Sequence, residues 1–214
     1  MKLSPKCENI YKQISKEDCK LGDLRKVAKD VKKDHKLALE LWKTGDFMAR
    51  QLSILIMDNK EVDLDFVDYI SNDIKEHKYN ERNQLTDWFM ANQLLKNKRL
   101  IKFIETWEKS KSVIKRRIYW YYQARLRWTG KTDFTNTEKL LDSIETEILN
   151  EEEEVQWAMN FTAGQIGKWE AKYRERCIKL GEDTGLYSNE VAPKGCTPNY
   201  LPEFIRIEVA KMNN

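Results

Sequence analysis

Between Pro5 and Pro193 the chain contains no proline. Proline removes a backbone donor and clashes with the preceding turn, so a run this long without it permits helix after helix. The apolar residues inside the run repeat to match. Leu37, Leu41 and Trp42 form one short stripe, and Phe47, Leu52, Leu55 and Ile56 form the next. Val62, Phe66, Val67 and Ile70 follow, then Leu85, Trp88, Ala91 and Leu95, then Leu100, Phe103, Ile104 and Trp107. Later come Ile114, Ile118, Tyr122 and Leu126, then Leu140, Leu141, Ile144 and Ile148, then Val155, Met159, Thr162 and Ile166. This is the i, i+3, i+4, i+7 rhythm of helices that bury one face. The strict alternation of strands is absent at useful length.

Breaks fall at Gly45-Asp46, Asp58-Asn59-Lys60, Tyr79-Asn80, Gly130 and Gly181. Helices of about 10 to 16 residues joined by short turns predict stacked antiparallel helix pairs, an all-α solenoid, with a compact irregular bundle as the alternative. Residues 1–214 read as one helical-repeat domain. From Gly181 to Asn199, Gly, Pro, Ser, Asn and Thr dominate, which predicts a long loop. A last helix is expected from near Tyr200, carrying Leu201, Phe204, Ile205 and Val209.

Composition narrows the classes. The four cysteines, Cys7, Cys19, Cys177 and Cys196, show no C-x-x-C spacing, and the only histidines are His35 and His77. That argues against a zinc site or a disulfide framework and fits a reducing compartment. Met1 to Lys6 leads into no apolar run, so no signal peptide is expected. No run approaches the roughly 18 apolar residues that span a membrane. A cytoplasmic monomer is the expectation.

Charge is laid out in blocks. Residues 96–131 hold twelve Lys or Arg, from Lys96 to Lys131, against two acids, Glu105 and Glu108. Interleaved are Trp107, Tyr119, Trp120, Tyr121, Tyr122 and Trp128. Cations that neutralise phosphates beside rings that stack on bases suit a nucleic-acid surface, although a solvated basic face over a core of aromatics has the same pattern. The following block, 132–154, is acidic and ends in Glu151-Glu152-Glu153-Glu154, and it is free to lie beside the basic one in space.

Several segments in order are more specific. Leu21-Gly22-Asp23-Leu24-Arg25-Lys26-Val27-Ala28-Lys29, then Asp34-His35, Leu37 to Trp42 and Ala49-Arg50, resemble the first helices of the AlkD-like DNA alkylation repair family. Asp87-Trp88-Phe89-Met90-Ala91-Asn92-Gln93-Leu94 resembles that family's W-x-x-C-D segment. Lys115-Arg116-Arg117-Ile118 resembles its Arg-Arg helix, and Val155-Gln156-Trp157-Ala158-Met159-Asn160-Phe161 its later active-site helix. The resemblance runs from about Leu21 to Lys211. It implies HEAT-like helix pairs with a basic face that holds duplex DNA. It also implies hydrolysis of the N-glycosidic bond of cationic N3- or N7-alkylated purines, with no metal or organic cofactor.

Carried over by position, the resemblance puts the first active-site aromatic at Trp88, the carboxylate position at Asn92, the second aromatic at Phe161 and the arginine at Arg117, or at Arg116 in a register shifted by one. Arg116, Arg117, Lys111, Lys115 and Trp120 are the expected DNA contacts. The chemistry fits these types. An alkylated purine is already a cation, aromatic faces attract cations, an arginine grips a phosphate with two prongs, and a carboxylate stabilises an oxocarbenium-like sugar. Trp88 and Asn92, spaced i and i+4, share a helix face. Asn92 keeps the carboxylate's shape without its charge, and losing one preorganised electrostatic group costs about 3 kcal/mol in the transition state. Asp87 does not replace it, because it points about 100° away and Thr86-Asp87 fits a helix start.

The same residues have plainer readings. Trp88 suits a core, Asn92 a satisfied amide, and Arg117 a structural ion pair on the stripe of Val113, Trp120, Ala124 and Trp128. Gly195-Cys196-Thr197-Pro198-Asn199-Tyr200-Leu201-Pro202 offers nothing to activate a thiol and reads as the turn that docks the last helix. Three functions therefore stand at this point: an alkylpurine DNA glycosylase, a non-catalytic DNA-binding relative, and a helical-repeat scaffold for protein partners.

Overall fold

The computed structural model describes residues 3–128, 130 and 134–212. Met1, Lys2 and Lys131, which enter the readings above, lie outside the described residues. Among the described residues all regular structure is helical, and the chain divides into two compact units, Met1–Glu105 and Thr106–Asn214.

The first unit contains α1 (Pro5–Ile14), α2 (Leu21–Val31), α3 (His35–Trp42), α4 (Phe47–Ile56), α5 (Leu64–Lys75), α6 (Tyr79–Asn92) and α7 (Lys98–Ile104). Side chains cap the starts. Ser4 accepts from the Cys7 N–H, Asp34 from Leu37, Asp46 from Ala49, Asp63 from Phe66 and Asn97 from Arg99, each satisfying a donor with no partner inside its helix. Helix α4 is the centre, packed by α1, α2, α3 and α6. It is buried almost all round, from Ala49 to Ile54 and again at Ile56, as a central helix must be.

Arg50 on α4 is 8% exposed, and its charge is compensated. Its Nε donates to the Trp42 carbonyl at 3.2 Å and its Nη1 to the Asp73 carbonyl at 2.9 Å. The Trp42 indole N–H donates to the Asp73 carboxylate at 2.7 Å, and the guanidinium lies 4.7 Å from the Trp42 ring centre. A buried charge is tolerated only when its donors are engaged in this way.

The second unit contains α8 (Val113–Arg127), α9 (Thr137–Glu147), α10 (Glu153–Trp169), α11 (Arg174–Thr184) and α12 (Leu201–Met212). Here α10 is central and packs against α8, α9, α11 and α12. Arg127, with no exposed surface, donates through Nε to Glu170 at 2.7 Å and through Nη2 to Thr137 at 2.8 Å. The last helix docks by close approach. A Cβ on Gly167 would sit 2.5 Å from Ile205, and one on Gly164 2.9 Å from the Phe204 ring.

Two boundaries differ from the sequence reading. Gly181 is not a break. Helix α11 runs through it to Thr184 and ends at Gly185 in the left-handed conformation, φ 63°. Glycine is needed at 181 for space, because a Cβ there would meet Pro202 at 2.5 Å. Thr86-Asp87 is not a helix start either. It lies in the middle of α6, where Thr86 is buried and its hydroxyl donates back to the Arg82 carbonyl at 2.7 Å. That local bond satisfies the hydroxyl inside the helix, so the cap-like residue type misled.

Candidate nucleic-acid interface

In the first unit, α6 buries Leu85, Thr86, Phe89 and Met90 and leaves Trp88 and Asn92 half-buried at its surface. Trp88 and Asn92 lie on one helix, one turn apart. The Asn92 Nδ2 donates to the Trp88 carbonyl at 3.0 Å, so the amide caps its own helix's last turn. The Trp88 ring is not bare. The exposed Arg25 of α2 places its guanidinium carbon 5.5 Å from the ring centre, within cation–π range. Arg25 belongs to the Leu21–Lys29 segment, but no signal in one sequence pairs it with a ring 63 positions away.

In the second unit, Arg117 on α8 is 2% exposed. Its Nη1 donates to the Glu154 carbonyl at 2.8 Å, and its guanidinium carbon lies 4.9 Å from the Trp157 ring centre. Trp157 is stacked on Phe161, one turn further along α10, at 5.2 Å and 10° between planes. Phe161 also makes T-shaped contacts with Trp128 at 5.7 Å and Phe204 at 6.1 Å, and lies tilted against Tyr121 at 5.8 Å. Arg117 and Phe161 are therefore joined through Trp157, a residue of the Val155–Phe161 segment to which the sequence alone assigns no role.

The acidic block lies against the basic one. Arg116 forks onto Glu151, at 3.0 Å from Nε and 2.9 Å from Nη2, and also pairs with Glu152. Burial pushes the Arg116 guanidinium towards losing its proton, but Glu151 and Glu152 outweigh it and hold its pKa above the ordinary value. Lys109 pairs with Glu147. Glu108 is raised by burial and lowered more by hydrogen bonds from Lys139 and Ser143. Trp120 does not face solvent. It is 1% exposed, in the core beneath Tyr119, because its helix turns that side towards α10. Lys115 sits 5.3 Å from the Trp107 ring centre, and Lys111 is exposed.

Among the described residues no group of three or more His, Cys, Asp or Glu stands together as metal ligands would, and no helix is long and apolar enough to cross a membrane. Cys177 is buried and pushed up to about 12, which leaves it an inert thiol.

The architecture defines a class, that of all-α proteins with HEAT-like helices. A solved structure described as "A new family of proteins related to the HEAT-like repeat DNA glycosylases with affinity for branched DNA structures" is similar to this chain, with a TM-score of 0.68 and 19% identity over 98% of this chain and 90% of that one. No curated protein matches. The sequence profile of the family described as "DNA alkylation repair enzyme" matches residues 15–182. The chain belongs to that family.

Proposed function

We propose that this protein binds DNA, favouring distorted or branched duplex, without efficient release of a base. The observation that carries this reading is the state of the Trp88 face. The resemblance implies that a cationic purine stacks there, yet Arg25 already lies over that ring at 5.5 Å. A second cation would have to displace the first. Beside it, Asn92 supplies an amide bound to its own helix and no negative charge for a developing oxocarbenium ion. The retained aromatic and basic groups serve binding as well as they serve catalysis. The solved relative is itself described as having affinity for branched DNA structures, which supports the same choice of ligand.

The second reading is excision of N3- or N7-alkylated purines. It is favoured by Trp88 and Asn92 sharing one helix end, a geometry that a single Asn92→Asp substitution would recharge. Both readings are tested together. Binding to a four-way junction and to a duplex of equal length is measured by fluorescence anisotropy at two salt concentrations. Released 7-methylguanine and 3-methyladenine are measured by chromatography for the wild type and Asn92→Asp. The expected result is junction binding that weakens steeply with salt and no base release by the wild type at large enzyme excess. Release by the wild type overturns the proposal in favour of the glycosylase. Binding that is absent or indifferent to salt points to the scaffold.

A further inference from the structure

We propose that Trp128 and Arg125, at the end of α8, form a stacking subsite for one unpaired base of branched DNA, distinct from Trp88 and Asn92. The inference rests on the reading that the protein binds DNA, and it names the feature of branched DNA that is recognised.

Trp128 is 49% exposed, and a tryptophan half open to water is uncommon in a folded chain. Its ring is nevertheless held in place. The ring of Phe161 meets it in a T-shaped contact at 5.7 Å and 74°. Behind Phe161 stand Trp157, stacked at 10°, and Tyr121, 5.8 Å from both rings. Trp157 is fixed in turn by the buried Arg117. The outermost indole thus rests on a packed row of rings, so little side-chain freedom remains to be lost when something planar covers it.

The charge beside it decides what that planar group is. Helix α8 carries Arg116, Arg117, Arg125 and Arg127. Arg116 is paired with Glu151 and Glu152, Arg127 with Glu170, and Arg117 donates to the Glu154 carbonyl. Arg125 differs. Its guanidinium carbon lies 5.7 Å from the Trp128 ring centre and 6.0 Å from that of Tyr121, and among the described residues it has no hydrogen bond or ion pair. It therefore keeps its donors for an outside anion while the rings hold its position. An indole that stays 49% exposed with an uncommitted guanidinium over part of its ring fits one nucleotide, the base on the open part of Trp128 and the phosphate on Arg125. A paired base inside a duplex has both faces covered, whereas a branch point or flap offers a bare one.

The test uses the full chain and a flap substrate carrying 2-aminopurine in its unpaired arm, with a blunt duplex as reference. For the wild type we expect tighter binding of the flap than of the duplex and quenching of 2-aminopurine emission. Trp128→Ala is expected to lower the flap-over-duplex preference about tenfold and abolish the quenching, Trp128→Phe to keep part of both, and Arg125→Ala to reduce the salt slope by about one. Thermal melting by circular dichroism confirms that each variant is folded. Undiminished preference and quenching in Trp128→Ala overturn this subsite while leaving DNA binding intact. Equal losses on flap and duplex also overturn it, because Trp128 is then a general contact. If the wild type binds neither substrate, the DNA-binding reading fails first and takes the subsite with it.

Discussion

Two arginine–tryptophan pairs, Arg117 with Trp157 in the second unit and Arg25 with Trp88 in the first, are embedded in opposite ways. In the second unit Arg117 is 2% exposed, bonded to the Glu154 carbonyl and 4.9 Å from the Trp157 ring centre. In the first unit Arg25 is exposed and lies 5.5 Å from the centre of a half-buried Trp88. A cation held by a buried acceptor and a ring is part of the structure. A cation that holds a surface ring by its face alone can be exchanged for another. The same two residue types therefore form a fixed support at Trp157 and a replaceable cover at Trp88.

Stability separates the two most sharply. Arg117→Ala leaves the buried Glu154 carbonyl without its charged donor and takes the support from Trp157, and we expect a loss of about 3 kcal/mol. Arg25→Ala removes a surface contact and is expected to stay within about 0.5 kcal/mol. Urea unfolding followed by circular dichroism measures both. Equal effects would erase the distinction between support and cover.

Acid sharpens the comparison between units. Glu208 ties α12 to α10 through Lys168 at 2.8 Å and to the preceding loop through Thr197 at 2.7 Å, and it pairs within its own helix with Lys211 at 2.7 Å. Burial raises its pKa, but those three partners together bring it down to about 2. A carboxyl depressed by folding stabilises fully above its unfolded value, near 4.3, and loses that contribution as pH falls from there through its folded value. We expect about 2 kcal/mol to disappear over that window and Glu208→Gln to flatten it. In the first unit the Asp34 carboxyl is lowered first by the exposed Lys6, and the Asp58 carboxyl first by the Lys60 backbone N–H and then by the exposed Lys33, all near the surface, so their variants should shift the acid limb far less. A limb unchanged in Glu208→Gln would show that this cluster does not anchor the helix.

The helical character was legible because apolar spacing reports which side of a helix is buried, and no proline interrupts it. Trp88 and Asn92 were placed on one helix by the same periodicity. What the sequence could not supply were pairings between distant segments. The resemblance to an Arg-Arg helix within a basic block implies a DNA contact at Arg116, whereas folding brings Glu151 and Glu152 to it. Trp120 and Trp128 lie on the same helical stripe, yet one is 1% exposed and the other 49%, a difference that periodicity along one helix does not report. Gly181 has the composition of a loop and the space requirement of a helix crossing.

The smallest expected effect tests whether Arg25 is a cover in the chemical sense. A like-charged group on the Trp88 face competes with a cationic purine by the strength of a surface cation–π contact, about 0.5 to 1 kcal/mol. In an Asn92→Asp background, where a carboxylate is introduced, Arg25→Ala should therefore raise the rate of any 7-methylguanine release about two- to fivefold. The measurement is made in single turnover with protein in saturating excess, so any weakening of phosphate binding by the lost arginine does not enter. Arg25→Lys keeps the charge and should remain close to the parent. An unchanged or slower rate in Arg25→Ala would mean that the guanidinium assists the bound purine or ignores it, and the contrast with Arg117 would then be one of burial alone.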